Sequence, residues 1–310
     1  MNENPARRRD PGATVDRPAG EMIGAQGALT DDDRIDAAFA AGRAAGRPLV
    51  IPFVTAGYPS TTATVPLIGA LAAAGADMIE IGMPFSDPLA DGPTIQRASE
   101  RALLNGMTVR KTLALVREAR TAGATVPIIL MGYCNPLYAY GLETFLTDAA
   151  GSGVDGLIVA DLPPDEADEL LAGCAAAGLA ATFLVAPNAP DDRIRRVDAA
   201  STHFSYCVTV TGVTGARADL QARTIEFLHR MRKLAQKPFV TGFGIKRPEH
   251  VAALGPHTDG VVVGSALIDA IEASGDGDAA AVSAAAAIVA PLREAAARLA
   301  RPGALEGGDS

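Results

Sequence analysis

Short apolar runs alternate with long, alanine-rich amphipathic stretches along most of this chain. The runs fall at Leu49–Thr55, Met78–Gly82, Pro127–Met131, Gly156–Ala160, Ala181–Val185, Ser205–Val210, Pro238–Thr241 and Gly260–Gly264. Between them lie segments such as Thr62–Ala74, Val109–Ala122, Pro164–Ala177, Leu220–Leu234 and Ala279–Leu299. Gly156–Ala160 and Gly260–Val263 show no polar alternation, which is the pattern of strands covered on both faces. Repeated strand–helix units of this kind build a parallel sheet, either open and doubly wound or closed into a barrel. The count of eight runs and the length of 310 residues favour the barrel.

Three turns echo one another, Gly75-Ala76-Asp77, Gly153-Val154-Asp155 and Thr258-Asp259-Gly260. Each precedes or opens a strand, so they fit a repeated helix-to-strand turn at the bottom of the barrel. The expected fold is a single (β/α)8 TIM barrel over residues 31–300 with an extra N-terminal helix. Thr30 reads as the cap of that helix and Asp31 to Asp33 as its acidic first turn, leading into Arg34–Gly46. Residues 1–30 are rich in Pro, Gly, Arg and Asp without period and read as a disordered extension, and 301–310 as a flexible tail.

Composition narrows the function. Hydrophobic residues make up 48% of the chain, enough for a large core, while aromatics are 5% and Trp is absent. Stacking on nucleic acid bases is not expected of such a surface, and a net charge of -9 argues against polyanion partners. Cys134, Cys174 and Cys207 cannot all pair within one chain and read as free thiols of a reducing compartment. His203, His229, His250 and His257 show no ligand spacing, so no metal is expected. Arg7, Arg8 and Arg9 are followed by no apolar stretch, as a secretory signal would require. No run approaches the roughly 18 apolar residues of a membrane span. A cytoplasmic protein with a small-molecule substrate follows.

In α/β barrels the chemistry sits where strands end. Strands six to eight end in glycine-rich loops, Thr211 through Ala216, Gly242-Phe243-Gly244 and Gly264-Ser265-Ala266. Backbone N–H groups free of a Cβ, followed by a helix N-terminus, suit a phosphate monoester. The second strand places Glu80 between Ile79 and Ile81, so its carboxylate faces the opposite side of the sheet, which in a barrel can be the interior. A buried carboxylate is costly unless paired, neutralised or functional, and burial raises its pKa toward the range of a general acid–base group. No basic residue sits at an adjacent strand centre to pair with it. The loop that follows carries Asp87 and Asp91 among three prolines. Asp91-Gly92-Pro93 by itself reads as a turn followed by a helix start, but the loop rises from the strand of Glu80, so one of its aspartates can reach the same cavity.

Together these segments resemble the tryptophan synthase α-chain family, from about Arg34 to about Leu299. The resemblance is carried by Pro52 through Gly57, Glu80 through Gln96, Asn135-Pro136 and Asp155 through Asp161. It continues in Thr211 through Ala216, Gly242 through Gly244 and Gly264-Ser265. It implies a retro-aldol cleavage of indole-3-glycerol phosphate to indole and glyceraldehyde 3-phosphate. Glu80 matches the catalytic glutamate, Asp91 the aspartate that meets the indole N–H, and Tyr206 an accessory tyrosine near the reacting bond. The phosphate positions are Gly215, Gly244, Gly264 and Ser265, and the indole pocket is Phe53, Tyr133, Ile158 and Leu184. The resemblance also implies a pyridoxal-phosphate β subunit in an α2β2 assembly, with no cofactor in this chain. The docking and coupling positions are then Pro84, Asp87, Pro88, Asn135, Pro163 and Thr214. Two other readings stay open: a lyase that acts alone and releases indole, and a non-catalytic barrel that only activates a β partner.

Overall fold

The structure, a computed structural model, describes residues 33–300 apart from 209–216, 243 and 276. The eight apolar runs all contribute strands: β1 Leu49–Thr55, β2 Ile79–Gly82, β3 Ile128–Gly132, β4 Gly156–Val159, β5 Ala180–Thr182, β6 Leu184–Val185, β7 Ser205–Cys207, β8 Phe239–Thr241 and β9 Gly260–Val263. All pairings are parallel, in the order β5-β4-β3-β2-β1-β9-β8-β7-β6. The expected fifth strand is split at Phe183, and its halves pair to opposite sides, β5 with β4 and β6 with β7. The ring therefore closes through that one strand. At the seam, side chains stand in for the ladder: Phe183 N–H donates to Ser201 Oγ at 3.1 Å and Ala181 N–H to Thr202 Oγ1 at 2.9 Å. This is the expected TIM barrel.

Strand periodicity divides the core in two. Residues such as Val50, Val54, Ile79, Ile81, Leu130, Leu157 and Val263 face outward into a layer shared with the helices. Leu49, Ile51, Phe53, Met78, Ile129, Ile158, Tyr206, Val240 and Val262 fill the interior. The outer layer comprises α2 Thr64–Ala73, α3 Pro93–Leu104, α4 Val109–Thr121, α5 Cys134–Tyr140, α6 Leu142–Ser152, α7 Asp168–Ala177, α8 Asp191–Ala200, α9 Arg217–Leu234, α10 Pro248–Leu254, α11 Ser265–Ala273 and α12 Asp278–Arg298. The stretch Pro164–Ala177 is less regular than its pattern suggests, opening with a 3-10 turn at Pro164–Glu166 before α7. Helix α12 also qualifies the reading of apolar runs. By length and composition alone it could cross a membrane, yet it packs on α2, α10, α11 and β1 through Ala281, Ala285, Val289 and Leu292.

The N-terminal helix, α1 Arg34–Ala44, plugs the bottom of the barrel. Ile35 and Phe39 are buried in the interior cluster, and the Phe39 and Phe204 rings meet at 5.4 Å. Each such side chain contributes roughly 1.5–3 kcal/mol by leaving water. The cap differs from the expectation: Asp33, not Thr30, accepts the N–H groups of Ile35 and Asp36. A cap needs a side-chain oxygen directly before the first helical turn, and Asp33 holds that place. The same end is fastened by His203, which lies 2.9 Å from both Asp33 and Asp36.

The three echoing turns share one geometry. The N–H of Asp77 donates to the carbonyl of Val50, and its carboxylate accepts the Val50 N–H at 2.9 Å. Asp155 treats Ile128 in the same way, and Asp259 treats Phe239. Each carboxylate also holds an arginine: Arg47 by two 2.8 Å bonds, Arg120 at 2.5 Å and Arg232 at 3.0 Å. The repeated turn is thus a device that starts one strand by satisfying its neighbour. Residues 1–30 and 301–310, expected to be an extension and a tail, lie outside the described residues, as does the upstream cap candidate Thr30.

Candidate active site at the carboxyl ends of the strands

Glu80 stands at the centre of β2, in register with Phe53 of β1 and Ile129 of β3. Alternation turns it inward, and it is only 1% exposed. Its atom Oε1 has no hydrogen-bond partner among the described residues. No cation faces it. Burial pushes its pKa up to about 8, and the nearby Asp91 charge adds to the rise. The adjacent Tyr206 hydroxyl pulls weakly the other way. Glu80 therefore holds its proton at neutral pH yet can release it within the working range of an acid–base group.

Below it the interior is packed. A cavity of about 10 Å3 remains among Ile51, Met78, Ile129, Ile158, Phe204 and Val240, too small for a bicyclic ring. A substrate must therefore approach Glu80 from the upper end. Two glycines keep that region open. A Cβ at Gly82 would lie 2.6 Å from the Phe53 ring, and one at Gly242 would lie 2.9 Å from Tyr206 Oη. Neither clearance was legible as a site feature, because its partner comes from a neighbouring strand.

Asp91 closes the loop that leaves β2, immediately before α3 begins at Pro93. Burial lifts its pKa to about 6, and a hydrogen bond from Tyr133 Oη to its Oδ2, 3.0 Å long, opposes the rise. The loop folds back on itself: Asp91 N–H donates to the Pro88 carbonyl, and Gln96 Nε2 donates to the Asp91 carbonyl at 2.9 Å. Asp91 is thus both the turn residue it resembled and a second raised carboxylate, close enough to Glu80 to raise that group's pKa.

The other candidates separate by place. Phe53 and Ile158 belong to the interior cluster with Tyr206, and Leu184 is partly buried against it. Tyr133 lies outside that cluster, at the start of α5, with its hydroxyl on the Asp91 loop. Gly264 is the residue before α11, with no side-chain cap, and Ser265 opens that helix. Gly244 adopts φ +59° and turns its N–H onto the Gly242 carbonyl at 3.0 Å. Gly215 and Thr214 lie outside the described residues. Of the expected docking positions, Asp87 and Asn135 are exposed and Pro88 and Pro163 partly so. Pro84 differs from these: it follows the β2 end closely and is buried. Leu89, missed by the sequence reading, is 92% exposed at the apex of the same loop, and Tyr138 is exposed on α5. An apolar side chain in a loop already rich in Pro and Asp was the available signal for Leu89.

Barrel, buried acid and second carboxylate define a class: an α/β-barrel enzyme that works by proton transfer at the carboxyl ends of its strands. The sequence profile of the tryptophan synthase alpha chain family matches residues 39–297. The tryptophan synthase alpha chain of Roseiflexus castenholzii is 49% identical over 245 residues, covering 79% of this chain and 94% of that protein. That of Chloroflexus aurantiacus is 46% identical over 265 residues, covering 86% and 99%. Among solved structures, the alpha subunit from Legionella pneumophila superposes with a TM-score of 0.77 at 36% identity, covering 85% of this chain and 98% of that one. A chain of tryptophan synthase from M. tuberculosis gives 0.76 at 34% identity, covering 85% and 99%. The chain belongs to the tryptophan synthase alpha chain family. It is accordingly a carbon–carbon lyase of tryptophan biosynthesis that cleaves indole-3-glycerol phosphate and works with a β subunit.

Proposed function

We propose that Glu80 carries the proton transfers of this cleavage and that Asp91 holds the indole nitrogen. Breaking the bond between indole C3 and the glycerol chain requires a proton at C3. The adjacent hydroxyl must lose its proton as it becomes the aldehyde. Glu80, protonated at neutral pH, gives its proton to C3, and the resulting carboxylate takes the hydroxyl proton, so the residue ends as it began. Asp91 accepts the indole N–H and stabilises the positive charge that ring protonation creates. Tyr206 sits beside Glu80 and steadies its carboxylate. Phe53, Ile158 and Leu184 flank the indole, with Tyr133 above.

The phosphate is assigned to the start of α11, where Gly264 and Ser265 present a helix N-terminus without a side-chain cap. Gly244 and, by the resemblance, Gly215 are the other phosphate positions. The β subunit is assigned to the upper face, with Asp87, Pro88, Asn135 and Pro163 joined by the exposed Leu89 and Tyr138, and with Thr214 as a coupling position. Pyridoxal phosphate belongs to that partner and not to this chain, and the α2β2 assembly is cytoplasmic.

The observation that carries the reading is the wholly buried carboxylate of Glu80, with Oε1 unpartnered and no cation beside it among the described residues. Indole release from indole-3-glycerol phosphate, measured while β subunit is titrated in, tests it. Glu80→Gln is expected to abolish release while leaving the fold and β binding intact. Normal cleavage by that variant overturns the assignment, and strong turnover without any stimulation by β favours the stand-alone lyase.

A further inference from the structure

The Asp91 loop meets one side chain of the neighbouring strand at both of its limbs. Its apex, Ser86 to Leu89, is largely exposed, with the Ser86 hydroxyl bound to its neighbour Asp87 at 2.5 Å. Its far end meets Tyr133. The Tyr133 hydroxyl donates to Asp91 Oδ2 at 3.0 Å and accepts the Ala90 N–H at 3.1 Å. A phenol hydroxyl has one proton to give and lone pairs to receive, so both capacities are in use here. The ring is 4% exposed, and Phe85 from the start of the loop lies against it at 5.4 Å. One side chain from the end of β3 thus touches both limbs of the loop that leaves β2.

We propose that Tyr133 is a positioning residue for the cleavage: its hydroxyl ties Asp91 and the Ala90 backbone to the end of β3, fixing the orientation of the loop carboxylate over the reacting ring. The proposal rests on Asp91 as the group that meets the indole N–H. With Oδ2 held by Tyr133, Oδ1 carries no protein donor among the described residues and is the oxygen left for the substrate. A charged acceptor fixed before the reaction begins needs no reorganisation as positive charge develops. The bond also favours the ionised form of Asp91, which is the form that accepts an N–H.

The groups facing Asp91 are Glu80 from β2, Tyr206 from β7 and Tyr133 from the end of β3. Asp161, after β4, is the other carboxylate near Tyr133, and its Oδ1 is engaged by the Cys134 N–H at 2.8 Å. The acid side of the pH profile is therefore set by Asp91 and its tyrosine, with Glu80 governing the alkaline side.

The test uses the full chain with its β subunit. Indole release is measured against pH for wild type, Tyr133→Phe, Asp91→Asn and the double variant, with thermal melting as the check on folding. Tyr133→Phe keeps the ring and its contact with Phe85 and removes only the hydroxyl. It is expected to lower kcat about tenfold to a hundredfold with KM little changed, the size of one hydrogen bond to a charged group. The acid limb is expected to move to higher pH, because the bond that favours the carboxylate is gone. In the Asp91→Asn background the same change should cost little more. Wild-type kcat and an unmoved acid limb in Tyr133→Phe overturn the proposal. So do equal losses in the two backgrounds, which mark a scaffold role. If Asp91→Asn alone keeps full activity, the Asp91 assignment falls and this proposal with it. An inactive Asp91→Asn beside a fully active Tyr133→Phe removes the proposal alone.

Discussion

The two ends of this barrel treat carboxylates in opposite ways. At the bottom, Asp77, Asp155 and Asp259 each hold an arginine and accept an N–H at the start of a neighbouring strand. At the top, Glu80 and Asp91 have no cation among the described residues, and their side-chain partners are the tyrosines 206 and 133. Compensation makes the lower carboxylates parts of the scaffold. Its absence above keeps Glu80 protonated near neutrality, which proton transfer requires and stability does not. The separation follows from barrel geometry, since strand starts can be tightened without touching the loops that carry chemistry.

Removing the uncompensated group gives the sharpest contrast. Glu80→Gln is expected to lower kcat at least a thousandfold, within the range of a lost general acid–base group. The same change should raise stability by about 1–3 kcal/mol at neutral pH, measured by urea unfolding. The sign follows from the pKa, raised from the usual carboxylate range to about 8. Wild-type stability is highest below the unfolded pKa and declines as pH rises through the folded one. Glu80→Gln should lack that component of the decline. A variant less stable than wild type would show that the carboxylate is compensated after all.

The lower end should respond in the reverse manner. Asp155→Ala leaves the partly buried Arg120 and the Ile128 N–H without their partner. A loss of about 3 kcal/mol is expected in urea unfolding, with kcat per folded molecule unchanged. A stability loss near zero would mean that this turn is ornamental.

Smaller effects sharpen the top. The kcat/KM profile should be bell-shaped, rising as Asp91 ionises near pH 6 and falling as Glu80 ionises near pH 8. The two limbs belong to the coupled pair, so Asp91→Asn should also shift the alkaline limb downward. A flat profile across this range would remove both assignments. Gly242→Ala puts a methyl 2.9 Å from Tyr206 Oη, and displacing that ring is expected to reduce kcat about tenfold with modest change in melting. Unchanged kinetics would show that Tyr206 has room to move.

Much of this was legible in one dimension. The strands start within a residue or two of the apolar runs, because burial on both faces demands continuous apolar character. The run Ser205–Val210 forms strand only to Cys207, and its last two residues lie outside the described ones. Glu80 stood out because a charge inside such a run has few explanations. The Asp-bearing turns were visible as an echo, although their reach to the neighbouring strand was not. Other features escaped for the opposite reason. The seam at Phe183 depends on hydroxyls from Ser201 and Thr202, and the role of Tyr133 depends on a loop that leaves another strand. Pro84 was a docking position by the resemblance alone, and the packed β2 end buries it.

The sequence by itself determined the barrel and the inward carboxylate, since each follows from local periodicity and residue chemistry. Tertiary structure alone decided which carboxylates are compensated. Asp155 and Glu80 carry the same functional group and differ only in what the closed sheet brings within about 3 Å of it, the reach of a hydrogen bond. That distance is set by neighbours far away in the chain.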